Sequence, residues 1–136
     1  MPNNSLDPVP ARPRVRGMSR ATVAIVTDGG LVPKGNPDQI PRAFAQVWGA
    51  YSIEGMDSLQ AGEYEVAHGG YDNRPVEQDP HRLVPVDVLR QMERDGLVGK
   101  LHPEFLSTTG NSNPLENSRS MGREMAARLI EAGVDS

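Results

Sequence analysis

The chain has 136 residues, 37% of them apolar and 24% charged, with a formal net charge of -4 and a mean hydropathy of -0.50. That length accommodates one domain with a single modest core, and the mild acidity argues against nucleic acid as the main partner. No apolar run approaches the roughly 20 residues that span a bilayer, the arginine-bearing N-terminus lacks the apolar segment of a secretory signal, and the absence of cysteine excludes a disulfide, a thiolate metal site or a thiol nucleophile within these residues.

In chain order, residues 1–20 carry prolines and arginines without an apolar period and are expected to form a flexible arm. Order is expected from residue 21 onward, as one α/β domain over 21–136. "TVAIV", Thr22 to Val26, is a β-branched run suited to a strand buried on both faces. "LVPKGNPDQIP" is too rich in Pro and Gly for regular structure, and "RAFAQVWGAYSI" fits either a short helix or an irregular turn. "EYEVA", Glu63 to Ala67, reads as a second strand. The proline-punctuated acidic stretch after it reads as a loop. "VPVDVLRQMERDG" predicts a helix, with Pro85 in the first turn, Val88, Leu89 and Met92 on one face and Gly96 at the stop. "PEFLST" reads as a third strand. "SRSMGREMAARLIEAG" predicts a helix over Ser118–Ala132, with Met121, Met125 and Leu129 as its apolar stripe and Gly133 ending it. Strands alternating with helices imply a parallel α/β sheet, three-layered and flavodoxin/Rossmann-like. The strand expected after the last helix is missing, so the sheet is expected to be incomplete at that end, and its unpaired edge to self-associate or bind a companion chain.

Each predicted strand runs into a polar, glycine-bearing loop: Thr27-Asp28-Gly29-Gly30, His68-Gly69-Gly70-Tyr71-Asp72-Asn73, and Thr108-Thr109-Gly110-Asn111. In a parallel sheet such loops emerge on one edge, where ligands bind. Glycine allows close backbone approach, and its N–H can bind an anion. Asp28 and His68 are the candidate acid–base or orienting pair. Each loop alone is also an ordinary turn. His81 and His102, beside Pro80 and Pro103, are expected in surface or turn roles. A His68/His81/Asp72 metal site matches no known ligand spacing. "GGLVPKGN" is no phosphate loop, because Lys34 precedes Gly35 and no Gly-Lys-Ser/Thr occurs.

Five segments in collinear order, "VTDGGLVPKGNPD", "YEVAHGGYDN", "RLVPVDVLRQMERDGLVGKLHPEF", "STTGN" and "GREMAARLIEAGVD", resemble the component B selenoprotein subunit of the glycine, sarcosine and betaine reductases. The D-proline reductase small subunit is a more distant likeness through its His-Gly-Gly-Tyr-Asp segment. The resemblance implies reductive cleavage of the C–N bond of glycine or an N-methylated glycine. A selenocysteine or cysteine beyond the strand that follows the last helix would be the nucleophile. The resemblance also implies a partner subunit whose pyruvoyl group holds an amino substrate as a Schiff base; no cofactor is expected in this chain itself. The carry-over reaches Asp28 and His68 as catalytic candidates. Gly29, Gly30, Gly69, Gly70, Tyr71, Asp72, Thr108, Thr109, Gly110 and Asn111 carry over as substrate-binding candidates. The nucleophile is absent from the chain, so alone it is expected to be inactive and to need other reductase subunits, or a companion chain that supplies it. The alternatives are a non-catalytic module of the same fold that binds a small carboxylate or acts as a scaffold, and an Asp/Glu-racemase-like enzyme, whose chemistry would want two thiols. A cytoplasmic setting, with no membrane partner, is expected.

Overall fold

The computed structural model describes residues 13–136. In chain order the elements are β1 (Thr22–Thr27), β2 (Leu31–Pro33), β3 (Gly49–Ser52), β4 (Tyr64–Val66), α1 (Arg74–Gln78), α2 (Val86–Arg94), β5 (Lys100–Ser107) and α3 (Leu115–Glu131). They build a small α/β fold with two sheets. The first has the order β1-β5-β3, the second pairs β2 with β4.

The α/β class stands, but the pairing is mixed and not all-parallel. Among the named strands, only β1 and β5 run parallel, while β3 lies antiparallel on the other side of β5. The second predicted strand, β4, belongs to neither pair. It runs antiparallel to β2, with Leu31 opposite Val66 and Pro33 opposite Tyr64. The Pro/Gly-rich stretch therefore does contain a strand, since Leu31 and Val32 are both fully buried and β2 is an edge strand of a two-stranded pair, where proline is tolerated. The stretch before Tyr51 resolves as irregular chain running into β3.

β5 is the central and longest strand, as its apolar content requires. Phe105 is fully buried, with the rings of Tyr51 and Tyr64 at 5.4 and 6.3 Å. One core joins both sheets: Ile25, Leu101 and Phe105 from the first pack with Leu31, Val32 and Val66 of the second. α2 adds Val86 and Leu89 to it. Val88, expected on the apolar face, instead points to solvent. α3 starts at Leu115, earlier than expected, buries Met121 and Met125, and ends at Gly133, which takes the left-handed φ of 72° that favours glycine at a helix stop.

Other local expectations change. The acidic loop holds the short helix α1 and a 3₁₀ turn at Pro80–Arg82. His81 is a turn residue, its Nε2 accepting the Leu59 N–H at 2.9 Å. His102 lies within β5 and is buried, so it is no surface group. Of the expected arm, residues 1–12 lie outside the described residues. Met18–Arg20 forms one 3₁₀ turn, and the Met18 carbonyl accepts the Gly99 N–H at 3.0 Å.

The tyrosine-lined core makes the fold alkali-sensitive. Burial raises the Tyr51 phenol well above its ordinary value, with the neighbouring Asp38 carboxylate adding to it. Tyr64 is raised by burial and then by Glu63. Folded, both keep their protons where the unfolded chain loses them, so their contribution is full below about pH 10 and falls as pH rises beyond it. The urea midpoint should fall progressively as pH rises beyond about 10, and Tyr51→Phe should flatten that fall; an unchanged slope in the variant would count against this origin.

Candidate functional site

The three polar loops meet at one junction. Gly29 and Thr109 form an antiparallel bridge, and the Gly110 N–H donates to the Asp28 carbonyl at 2.8 Å. The loop after β4 joins them although β4 lies in the other sheet. β2 follows Gly30 directly, and its pairing with β4 carries Ala67 to the same place. The Ala67 N–H donates to the Gly30 carbonyl at 2.7 Å, the Thr109 hydroxyl donates to the Ala67 carbonyl, and the Tyr71 hydroxyl donates to the Gly29 carbonyl at 2.7 Å. Gly30 has φ 79°, and a Cβ there would overlap the Ala67 carbonyl.

Most candidate groups are committed inside this junction. The glycine amides expected to be available to an anion are engaged: Gly29 N–H on Thr27 Oγ1 at 3.0 Å, Gly69 N–H on the Arg42 carbonyl at 2.8 Å, and Gly70 N–H on His68 Nδ1 at 2.9 Å. Thr109 is fully buried. The Thr108 hydroxyl donates to the Val47 carbonyl at 2.8 Å, and the Asn111 amide donates to the Arg42 carbonyl at 3.1 Å. Asp72 is a turn residue paired with Arg74 at 2.7 Å, and that guanidinium holds its carboxyl below the usual range.

Two groups remain for chemistry. The exposed Asp28 carboxylate lies over Gly110, where a Cβ would stand 2.6 Å from its Oδ2. His68 is the second. Because its Nδ1 accepts the Gly70 N–H, the neutral ring carries its proton on Nε2, so His68 presents a hydrogen-bond donor and not a base. The Tyr71 ring packs 4.7 Å from the His68 ring. Burial raises the Tyr71 phenol, with Asp28 and then Glu77 adding to the effect. A cleft of about 200 Å³ opens beside Asp28, lined also by Thr108, Asn113, Ser118 and Met125.

Sequence reasoning passed over Arg42. Its guanidinium donates to the Val66 and His68 carbonyls at 3.2 and 3.0 Å, while its own carbonyl takes both Gly69 and Asn111. Nothing in the pattern around Pro41 marks it. Asn73 donates to the His68 carbonyl at 3.1 Å, and an Asn closing a Gly-Gly turn is a signal that side-chain-to-backbone bonding makes readable. Among the described residues, no cluster of three or more His or acidic side chains is placed to hold a metal ion, and no helix is long and apolar enough to cross a membrane.

Gly30→Ala should destabilise the fold by about 3 kcal/mol or more, because the Ala67 backbone must move. Gly35→Ala, also at positive φ (89°) but facing open space, should cost about 1 to 2 kcal/mol. Urea unfolding of both measures the contrast, and equal losses would contradict the junction as described. Nitrogen-15 NMR of the His68 ring at alkaline pH should find the Nε2–H tautomer; an Nδ1–H tautomer would remove the donor assignment.

All of the chain, residues 1–136, matches the family described as glycine/sarcosine/betaine reductase selenoprotein B. It is 46% identical over 136 residues to the glycine reductase complex component B subunit gamma of Carboxydothermus hydrogenoformans, covering 100% of this chain and 31% of that protein. It is 46% identical to the sarcosine reductase complex component B subunit beta of Peptoclostridium acidaminophilum, over 94% of this chain and 29% of that one. The D-proline reductase subunit gamma of Acetoanaerobium sticklandii is 29% identical over 91% of this chain and 50% of its own length. No solved structure matches. The chain thus spans about a third of the length of the component B relatives it resembles, and the collinear segments and these matches agree that it belongs to the glycine/sarcosine/betaine reductase selenoprotein B family of oxidoreductases.

Proposed function

We propose that this chain forms the substrate-facing wall of a component B-type reductase, acting in reductive C–N bond cleavage of glycine or an N-methylated glycine. The observation that carries the reading is the pair left available at the junction. Asp28 offers a carboxylate, and His68 an Nε2–H donor, on adjoining loops that close on each other. A small amino acid carries the complementary groups, an amine and a carboxylate. In this reading Asp28 takes the amino group, and His68 donates to the carboxylate or to the departing nitrogen. Gly29, Gly30, Gly69, Gly70, Tyr71, Asp72, Thr108, Thr109, Gly110 and Asn111 hold those two in place.

A selenolate or thiolate attacking the α-carbon forms a Se–C or S–C bond as the C–N bond breaks. The electron pair leaves on nitrogen, which takes up a proton. That nucleophile must be soft and ionised near neutral pH, and no residue here qualifies, so it comes from a longer chain or a companion subunit. The pyruvoyl group implied by the resemblance would belong to a partner subunit and supply carbonyl chemistry there. We further propose that residues 1–20 are an arm and that residues 21–136 are the N-terminal portion of a larger domain. The parallel β1–β5 pair under α3 would be the nucleus of its flavodoxin/Rossmann-like, three-layer sheet. The working partners would be other reductase subunits in the cytoplasm.

Amine release from glycine, sarcosine and betaine with a dithiol reductant tests this. The chain alone should give no turnover. In a complex reconstituted with a nucleophile-bearing chain, Asp28→Asn and His68→Gln should each lower turnover about 100-fold. Turnover by the chain alone would refute the missing nucleophile. Unaffected variants would refute the site and leave a non-catalytic module.

A further inference from the structure

β1 has one edge paired with β5. Among the described residues, its other edge is engaged only at its start. Asp135 N–H and Ser136 N–H both donate to the Thr22 carbonyl, at 2.9 and 3.3 Å, and Ala24 N–H donates to the Ser136 carbonyl at 2.9 Å. The Asp135 carboxylate also accepts the Thr22 N–H at 2.9 Å. Two bonds from one residue to the residues flanking Val23 are the signature of a parallel pair. Ser136 therefore sits beside Val23 as the first residue of a strand running with β1.

Among the described residues, nothing pairs with the rest of that edge. Val26 is 50% exposed in a strand whose two-faced apolar pattern belongs to a sheet interior. The cleft of about 200 Å³ beyond it is lined by Val26 together with Gly122 and Met125 of α3. A Cβ on Gly122 would meet nothing within 4 Å, so there is room under the helix. α3 already spans from the end of β5 back to the start of β1, as a crossover helix does when the next parallel strand lies beyond an intervening one. The matched component B relatives also extend well beyond the third of their length that this chain covers.

We propose that the open edge of β1 is a docking surface for one parallel strand, and that its occupant is the segment continuing from Ser136 in the longer proteins of this family. The register is set by the Val23–Ser136 pair. The second residue after Ser136 donates to the Ala24 carbonyl and accepts the Val26 N–H. The first and third residues face α3. The strand then ends at the level of Thr27 and Asp28, delivering the next residues of the longer chain to the candidate site. This assignment rests on backbone pairing and is independent of the chemistry proposed for Asp28 and His68.

The test joins to Ser136 about ten residues, enough for one strand, taken from the Carboxydothermus hydrogenoformans relative immediately after the matched region. Amide hydrogen exchange of Val26 is then read by NMR against Ile25, whose N–H faces β5. Docking should slow Val26 about 100-fold relative to Ile25, with no dependence on chain concentration. A proline at the second residue after Ser136 should abolish most of that protection. Three results overturn the proposal: a Val26 amide as fast in the extended chain as in the 136-residue chain, protection that survives the proline, or protection already present in the 136-residue chain. The last, if it grows with concentration, would make a second copy of this chain the occupant.

Discussion

The backbone of Ala67 is where the two sheets are tied together. Its N–H is held by the Gly30 carbonyl and its carbonyl by the Thr109 hydroxyl, with both Ala67 and Thr109 buried. A buried backbone group left without a partner costs as much as a lost hydrogen bond or more. Gly30 lies between β1 and β2 and Thr109 follows β5, so satisfying the Ala67 N–H and carbonyl ties the end of β4 to the first sheet. Gly30 is required there because any side chain would overlap the carbonyl it must approach. Thr109 is required because it brings a donor on a short, stiff side chain.

The character of the candidate site derives from that junction. Groups that look like ligand binders in the sequence are the ones that hold the loops together, and their hydrogen-bonding capacity is internal. The residual chemistry is sparse: one carboxylate, one imidazole N–H, and an aromatic ring packed against the imidazole. Such a surface can orient a small zwitterion but lacks an atom able to attack carbon, which fits a chain that supplies one wall of a shared active centre.

How much of this could be read from residues alone depends on where the stabilising energy lies. β1, β5 and α3 carry their own signals, a β-branched run in the first and a Met121/Met125 spacing in the last. β2 and β3 do not. They are three and four residues long, contain Pro33 and Gly49, and exist because partners pair with them. Missing β2 led to the expectation of an all-parallel sheet. The loops meet nonetheless, because the antiparallel β2–β4 pair returns the chain to the end of β1. The His-Gly-Gly-Tyr turn was visible as a cluster, but the direction of its hydrogen bonds was not. Only the Gly70 N–H on Nδ1 reveals which ring nitrogen faces outward.

Arg42 joins the two walls mechanically. Its side chain grips the exit of β4, and its carbonyl is shared by the His68–Gly70 turn and the Asn111 loop. Both lone pairs of that carbonyl are taken, so the turn and the loop that frame the rim are anchored to the same oxygen atom, and a change at Arg42 reaches both at once.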